Sequence, residues 1–149
     1  MHERNTRIKA LAGFTIMELV VVISCIGILT AFAYPRFAMV EVETRKALVL
    51  SLSGSVNSAA TQAHFLWILQ DRPATVDMEG QTITMVNGYP DESNIDNTLM
   101  DYSGFQFKIN PNPPRFRRLD ASQPNTCMVT YVDAVAGSRP TVVAFTSGC

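Results

Sequence analysis

Gly13 to Pro35 reads GFTIMELVVVISCIGILTAFAYP. From Leu19 to Pro35 there are 17 residues without a charge, and Phe14–Met17 lengthens the run on its other side. About 20 apolar residues span a bilayer as a helix, so the stretch is predicted to be transmembrane. Ahead of it, Arg4, Arg7 and Lys9 stand against Glu3, a balance of +2. A short basic lead before an apolar run is the layout of a membrane-targeting segment, with the N-terminus on the cytoplasmic side. The competing reading is a cleaved secretory signal, with an apolar region of about 7–15 residues and a small-residue cleavage site. This run is longer than such a region.

Glu18 is the anomaly. A carboxylate inside a membrane span costs about 2.5–3.5 kcal/mol on insertion scales, and such residues usually have a partner. Nothing basic lies within the run. A free α-amino group on Phe14, present only after cleavage between Gly13 and Phe14, is a candidate cation. Between staggered helices, Glu18 of one subunit would meet the amine of the next and set register, as a lone polar residue does in coiled coils.

Outward from this stretch, the apolar character falls away. Phe14–Val40 holds 20 apolar residues in 27, while the whole chain of 149 residues is 47% hydrophobic and 17% charged, with net charge −1. Without Met1–Gly13 the charge is −3. That balance excludes nucleic-acid binding by charge alone, and the apolar content excludes a disordered chain. The length suits one small domain with an appendage.

Beyond Pro35, residues at Phe37, Val40, Thr44, Ala47, Leu48, Leu52, Val56, Ala59, Ala63, Leu66 and Trp67 recur at gaps of three and four, one helical face. Glu41, Glu43, Arg45 and Lys46 cluster as at emergence into water. Pro35 should kink or loosen the helix, and Arg72-Pro73 is the expected stop. A helix from Phe14 to Asp71 would be a rod of roughly 85 Å at 1.5 Å per residue. About half of it is expected to project from the domain.

The period then changes. Gly80–Val86 alternates and is β-branched, a strand signal, and Asn87-Gly88-Tyr89-Pro90 is a turn signal. A short helical turn is expected in Ser93–Met100, strands at Gly104–Ile109 and Cys127–Val132, and a last strand at Thr141–Thr146. Arg115–Leu119 reads as a short edge strand. The fold class is α+β: one long N-terminal helix, transmembrane in its first half, with a small antiparallel sheet packed on its C-terminal half. The segments are 14–36 for the membrane helix, 37–72 for its amphipathic continuation and 73–149 for the β domain.

Cys127 and Cys149 do not match zinc-site spacing. A pair closing a C-terminal loop fits a disulfide made outside the cytoplasm, with two reduced thiols as the alternative. Such a bridge contributes about 3 kcal/mol on the chain-entropy model. Cys25 reads as a packing residue of the membrane helix.

The motif from Gly13 through Glu18 to Pro35 resembles the class III signal and N-terminal helix of type IV pilins and type II secretion pseudopilins. The resemblance covers the basic leader, Gly13 before the cut, Phe14 after it, Glu18 fifth in the processed chain, and Pro35 at the family's helix-breaking proline. It implies that a prepilin peptidase removes residues 1–13 and N-methylates Phe14. It also implies that Glu18 and Pro35 serve assembly by a platform and its ATPase machinery. The precursor would sit in the inner membrane of a Gram-negative-type bacterium and then join a homopolymeric extracellular filament.

The C-terminal segment Cys127-Met128-Val129-Thr130-Tyr131 through Pro140 to Thr146-Ser147-Gly148-Cys149 is similar to that of pilins of the mannose-sensitive haemagglutinin (MSHA) type, as is Val86–Pro90. In those pilins the terminal cysteines close a loop that staples the last strands, whereas major pseudopilins usually lack the bridge and hold calcium instead. The implied role is surface attachment and possible motility, with a secretion pseudopilin or a DNA-uptake pilin as alternatives.

Other signals are weaker. Arg115, Arg117 and Arg118 form a basic cluster around Phe116 that would be the DNA or partner contact of an uptake pilin, but three arginines are a small footprint. Asp91, Glu92, Asp96 and Asp101 lack the glycine and spacing of an EF-hand. His64 reads as a helix-face residue and Trp67 as core. With no nucleophile–base pairing and no phosphate loop, no catalysis, metal or cofactor is expected.

Overall fold

The computed structural model describes residues 13–149. The leader, apart from Gly13, lies outside the described residues. Contacts divide the chain into two compact units, Met1–Met39 and Val40–Cys149. The fold is α+β: a long N-terminal helix, then antiparallel sheets.

Helix α1 spans Ile16–Leu69, with Pro35 inside it. Proline removes one i→i−4 bond, and the helix assignment runs through it unbroken. The C-terminal end is a Schellman arrangement. Asp71 N–H donates to Ile68 O at 3.4 Å and Arg72 N–H to Trp67 O at 2.8 Å. Asp71 and Arg72 both hold a φ of 62°, and the Arg72 guanidinium lies over the Trp67 ring at 5.7 Å. Pro73 then follows where helix cannot resume.

Burial shifts the predicted helix face. Val49, Leu52, Val56, Ala59, Ala60 and Ala63 are buried, while Phe37, Val40 and Leu48 are exposed. The upstream part of the three-four pattern therefore continues an apolar surface rather than a core-facing stripe, and Val49 and Ala60 take its place inside. Val49, Leu52, Val56 and Ala60 pack with Ile95, Phe116, Val129 and Tyr131. A second cluster joins Ala63, Leu66 and Trp67 to Val76 and Ile83.

Two sheets cover the helix, where one small sheet was expected. The first holds β1 (Thr75–Met78), β2 (Gln81–Val86) and β3 (Tyr89–Pro90), and the second holds β4 (Phe105–Lys108), β5 (Arg115–Arg118), β6 (Met128–Val132) and β7 (Thr141–Phe145). All pairings are antiparallel. Two-residue loops make both hairpins of the first sheet. Asn87 and Gly88 have φ of 52° and 86°, and Glu79 and Gly80 have φ of 50° and 79°. Both central residues at positive φ match the twist that hairpin strands need. Asn-Gly announces such a turn, so Tyr89-Pro90 becomes strand rather than turn. Glu-Gly is a poor signal, which is why β1 is invisible in the sequence.

The predicted edge strand is corrected too. Strand β5 lies between β4 and β6, so the edges are β4 and β7. Phe116 points into the core, while the arginines beside it occupy the more solvated face, as antiparallel sheets allow. A short 3₁₀ turn, Ile95–Thr98, buries Ile95 and Thr98 beneath the loop.

Candidate functional site

The decisive residues sit at the entry to α1. Gly13, Phe14 and Thr15 precede the helix and are exposed, so the Gly13–Phe14 peptide bond lies outside the helical backbone. Thr15 is the N-cap: its carbonyl accepts the first helical bond, from Leu19 N–H at 3.1 Å. Its hydroxyl oxygen accepts from Glu18 N–H at 3.2 Å, and the Glu18 carboxylate reaches back to Thr15 N–H at 3.5 Å. This is a capping box, in which Thr and Glu three residues apart satisfy each other's orphan donors. The sequence reading passed over this box, which Thr-x-x-Glu could have signalled. Glu18 therefore has a local role in starting the helix, besides the intersubunit role that the resemblance implies.

Downstream, α1 contains a window long and apolar enough to cross a membrane, none of it buried among the described residues. Phe14, Ile16, Leu19, Ile23, Leu29 and Phe32 are among the exposed side chains. The hydroxyls within the run are internally satisfied. Ser24 donates to Val20 O at 2.7 Å and Thr30 to Ile26 O at 2.6 Å. In an apolar phase an unpaired hydroxyl would be costly, and these bonds remove that cost. Cys25 is free and exposed on this helix.

In the second unit, Cys127 and Cys149 are bonded and buried. The bridge is reinforced by backbone pairing. Gly148 N–H donates to Thr126 O at 3.0 Å, and Gln123 N–H donates to Gly148 O at 3.1 Å. Arg45 ties this loop to the helix. Its guanidinium donates to Cys149 O at 3.0 Å, pairs with Glu41, and lies 3.8 Å from the Asp120 carboxylate. Arg118 grips Asp120 with two bonds, at 2.5 and 2.9 Å, and this hydrogen bonding holds the Asp120 carboxyl below its ordinary range.

The three sequence-predicted arginines are half-buried on β5. Arg115 donates to Pro111 O, Arg117 to Asn125 and Gln106 side chains, and Arg118 to Asp120. They share a strand, and each makes one or two side-chain bonds within the chain. His64 is more than a helix-face residue. Its Nδ1 lies 2.7 Å from Gly88 O, and its ring stacks on Tyr89 at 4.3 Å. Gly88 is required there, since a Cβ would meet the Trp67 ring at 2.9 Å. Trp67 is half-buried against the second core cluster.

The acidic loop residues are turn-makers. Asp91 accepts from Ser93 N–H at 2.7 Å and Asp101 from Ser103 N–H at 2.8 Å. The Ser103 hydroxyl, and then the Ser103 N–H, lower the Asp101 pKa, while burial raises that of Asp96. Among the described residues, no group of three metal-type ligands converges. Nothing in the sequence announced the Tyr131 hydroxyl, which donates to Pro90 O at 2.7 Å and joins the two sheets.

No protein-family model matches this chain, and neither the curated proteins nor the solved structures contain a match to it.

Proposed function

We propose that this chain is the precursor of a type IV pilin, most like the MSHA type, and that it works as a structural subunit rather than an enzyme. The leader and apolar helix hold the precursor in the inner membrane. A prepilin peptidase cuts after Gly13 and methylates Phe14. The assembly platform and its ATPase then move the helix into a fibre of like subunits, where neighbouring helices replace lipid around it. Outside the cell, the β domain with its Cys127–Cys149 loop faces solvent, and the fibre serves attachment and motility.

One observation carries this reading: a helix whose apolar window is buried by none of the described residues carries a single carboxylate, Glu18, in its first turn, behind an exposed Gly13–Phe14 bond. A plain anchor has no use for that carboxylate at about 2.5–3.5 kcal/mol. The buried terminal bridge favours a pilus over a secretion pseudopilus. The small size of the Arg115, Arg117 and Arg118 cluster, part of it paired with Asp120, weighs against a DNA-uptake role. Mass spectrometry of the chain co-produced with a prepilin peptidase tests the first step, with methylated Phe14 as the expected N-terminus. Sheared surface fibres containing this chain support the pilus. A chain retained in the envelope of a secreting cell supports the pseudopilus.

A further inference from the structure

A seam joins the three-stranded and four-stranded sheets, and its bonds are few. Tyr131 on β6 donates to Pro90 O on β3, and just beyond β6 the Ala134 carbonyl accepts from the Asn87 side chain at 2.7 Å. Asp133 lies between those two ties in sequence. One of its carboxylate oxygens is enclosed and has no hydrogen-bond partner. Asp91 and Glu92 follow Pro90 directly on the opposing side. Each is pinned: Asp91 accepts from Ser93, and Glu92 accepts from the Asn112 amide at 2.8 Å. Among the described residues, the ion pairs use Glu41, Glu43 and Asp120, so no lysine or arginine neutralises this seam.

Three carboxylates without a cation repel, and an enclosed carboxylate oxygen without a donor favours the neutral acid. We propose that the seam between Asn87–Glu92 and Tyr131–Ala134 is an acid-tightened clasp, closed while Asp133 carries a proton and loosened when it is charged. The Tyr131–Pro90 and Asn87–Ala134 bonds are the closed contacts, and Asp133 is the group that biases them.

The titration direction agrees with that geometry. Burial first, and then the charges of Asp91 and Glu92, push the Asp133 carboxyl up to about 6, against a smaller lowering by the Glu92 N–H. Tyr131 and Tyr89 also face this cluster. A carboxyl whose folded pKa exceeds its unfolded value favours the fold while protonated. Its stabilising effect is complete below pH 3.8 and is lost as pH rises through about 6.

The test uses the full chain in detergent micelles, followed by hydrogen exchange corrected for the intrinsic effect of pH and by carboxyl NMR. Asp133 is expected to titrate near 6, and segments 85–92 and 130–135 to exchange about tenfold more slowly at the acid side of that midpoint than above it. Asp133→Asn should hold the slow exchange on both sides. Equal protection across the midpoint in the natural chain, or an undiminished response in Asp133→Asn, overturns the clasp. Asp91→Asn with Glu92→Gln serves if Asp133→Asn fails to fold. It should lower the Asp133 midpoint and shrink the response, and an unmoved midpoint overturns the role of like charge. Asp96→Asn, at another half-buried carboxyl, should leave the response intact, and its loss there would move the switch away from Asp133.

Discussion

Arg45 donates to the carbonyl oxygen of Cys149 across 104 positions of chain, so the helix and the last cysteine of the bridge are fixed by one guanidinium. Its side chain is 14% exposed, against 65% for its partner Glu41. Arg45→Met should therefore cost about 1–3 kcal/mol, because it strands the buried Cys149 carbonyl. Glu41→Gln should cost under about 1 kcal/mol, as exposed pairs do. Urea unfolding of the two variants in the same micelles checks this, and equal losses would contradict the clasp between helix and loop.

Capping and charge at Glu18 can be separated. Glutamine preserves a capping box but removes the carboxylate. Glu18→Gln should give a subunit that is processed and helical yet assembles poorly, and Thr15→Ala should lose about 1 kcal/mol of helix capping while still assembling. Glu18→Ala loses both. Gly13→Ser should block processing. Fibre counts by electron microscopy, with N-terminal mass spectrometry, read all four, and normal piliation in Glu18→Gln would remove the charge from the mechanism.

Two glycines should respond in opposite directions. A Cβ on Gly148 would lie 2.6 Å from Gln123 O and 2.8 Å from the Gln123 Cβ, whereas one on Gly54 meets nothing within 4 Å. Gly54 lies inside α1, where alanine is favoured by about 1 kcal/mol. Thermal unfolding should show Gly54→Ala raised and Gly148→Ala lowered, the latter by about 1–3 kcal/mol of overpacking.

Burial of the Tyr131 phenol pushes its pKa above the ordinary value of 10.0. The fold favours the neutral phenol, so its contribution is present below pH 10 and is lost as pH rises beyond that value. Ultraviolet titration should find one tyrosine ionising well after the others, together with unfolding. Tyr131→Phe should abolish that late step and cost about 1–2 kcal/mol, because Pro90 O is left without its donor.

The long helix was legible because apolar runs and three-four spacing are local signals. Strands β2, β4 and β7 were legible for the same reason, since alternation survives wherever one face is solvated, while β6, buried from Met128 to Tyr131, was legible as a short β-branched and aromatic run. Strand β1 was not, because its turn uses Glu79 at positive φ, a conformation that composition does not announce. The interior position of β5 was hidden by its arginines, which look like solvent-facing residues and instead reach Asn125, Gln106 and Asp120. At the candidate site, Gly13, Phe14 and Glu18 stood out by type and order. The Arg45–Cys149 and Tyr131–Pro90 ties were invisible, because each depends on residues that only folding brings together.

The unburied apolar half of α1 also has a colloidal consequence. Each of its large aliphatic side chains gains about 1.5–3 kcal/mol on leaving water, and none of that window is buried among the described residues. In aqueous buffer the molecule is thus a surfactant with a folded protein as its headgroup. It will have a critical aggregation concentration, will collect at air and oil interfaces, and will scatter light more strongly as salt is raised.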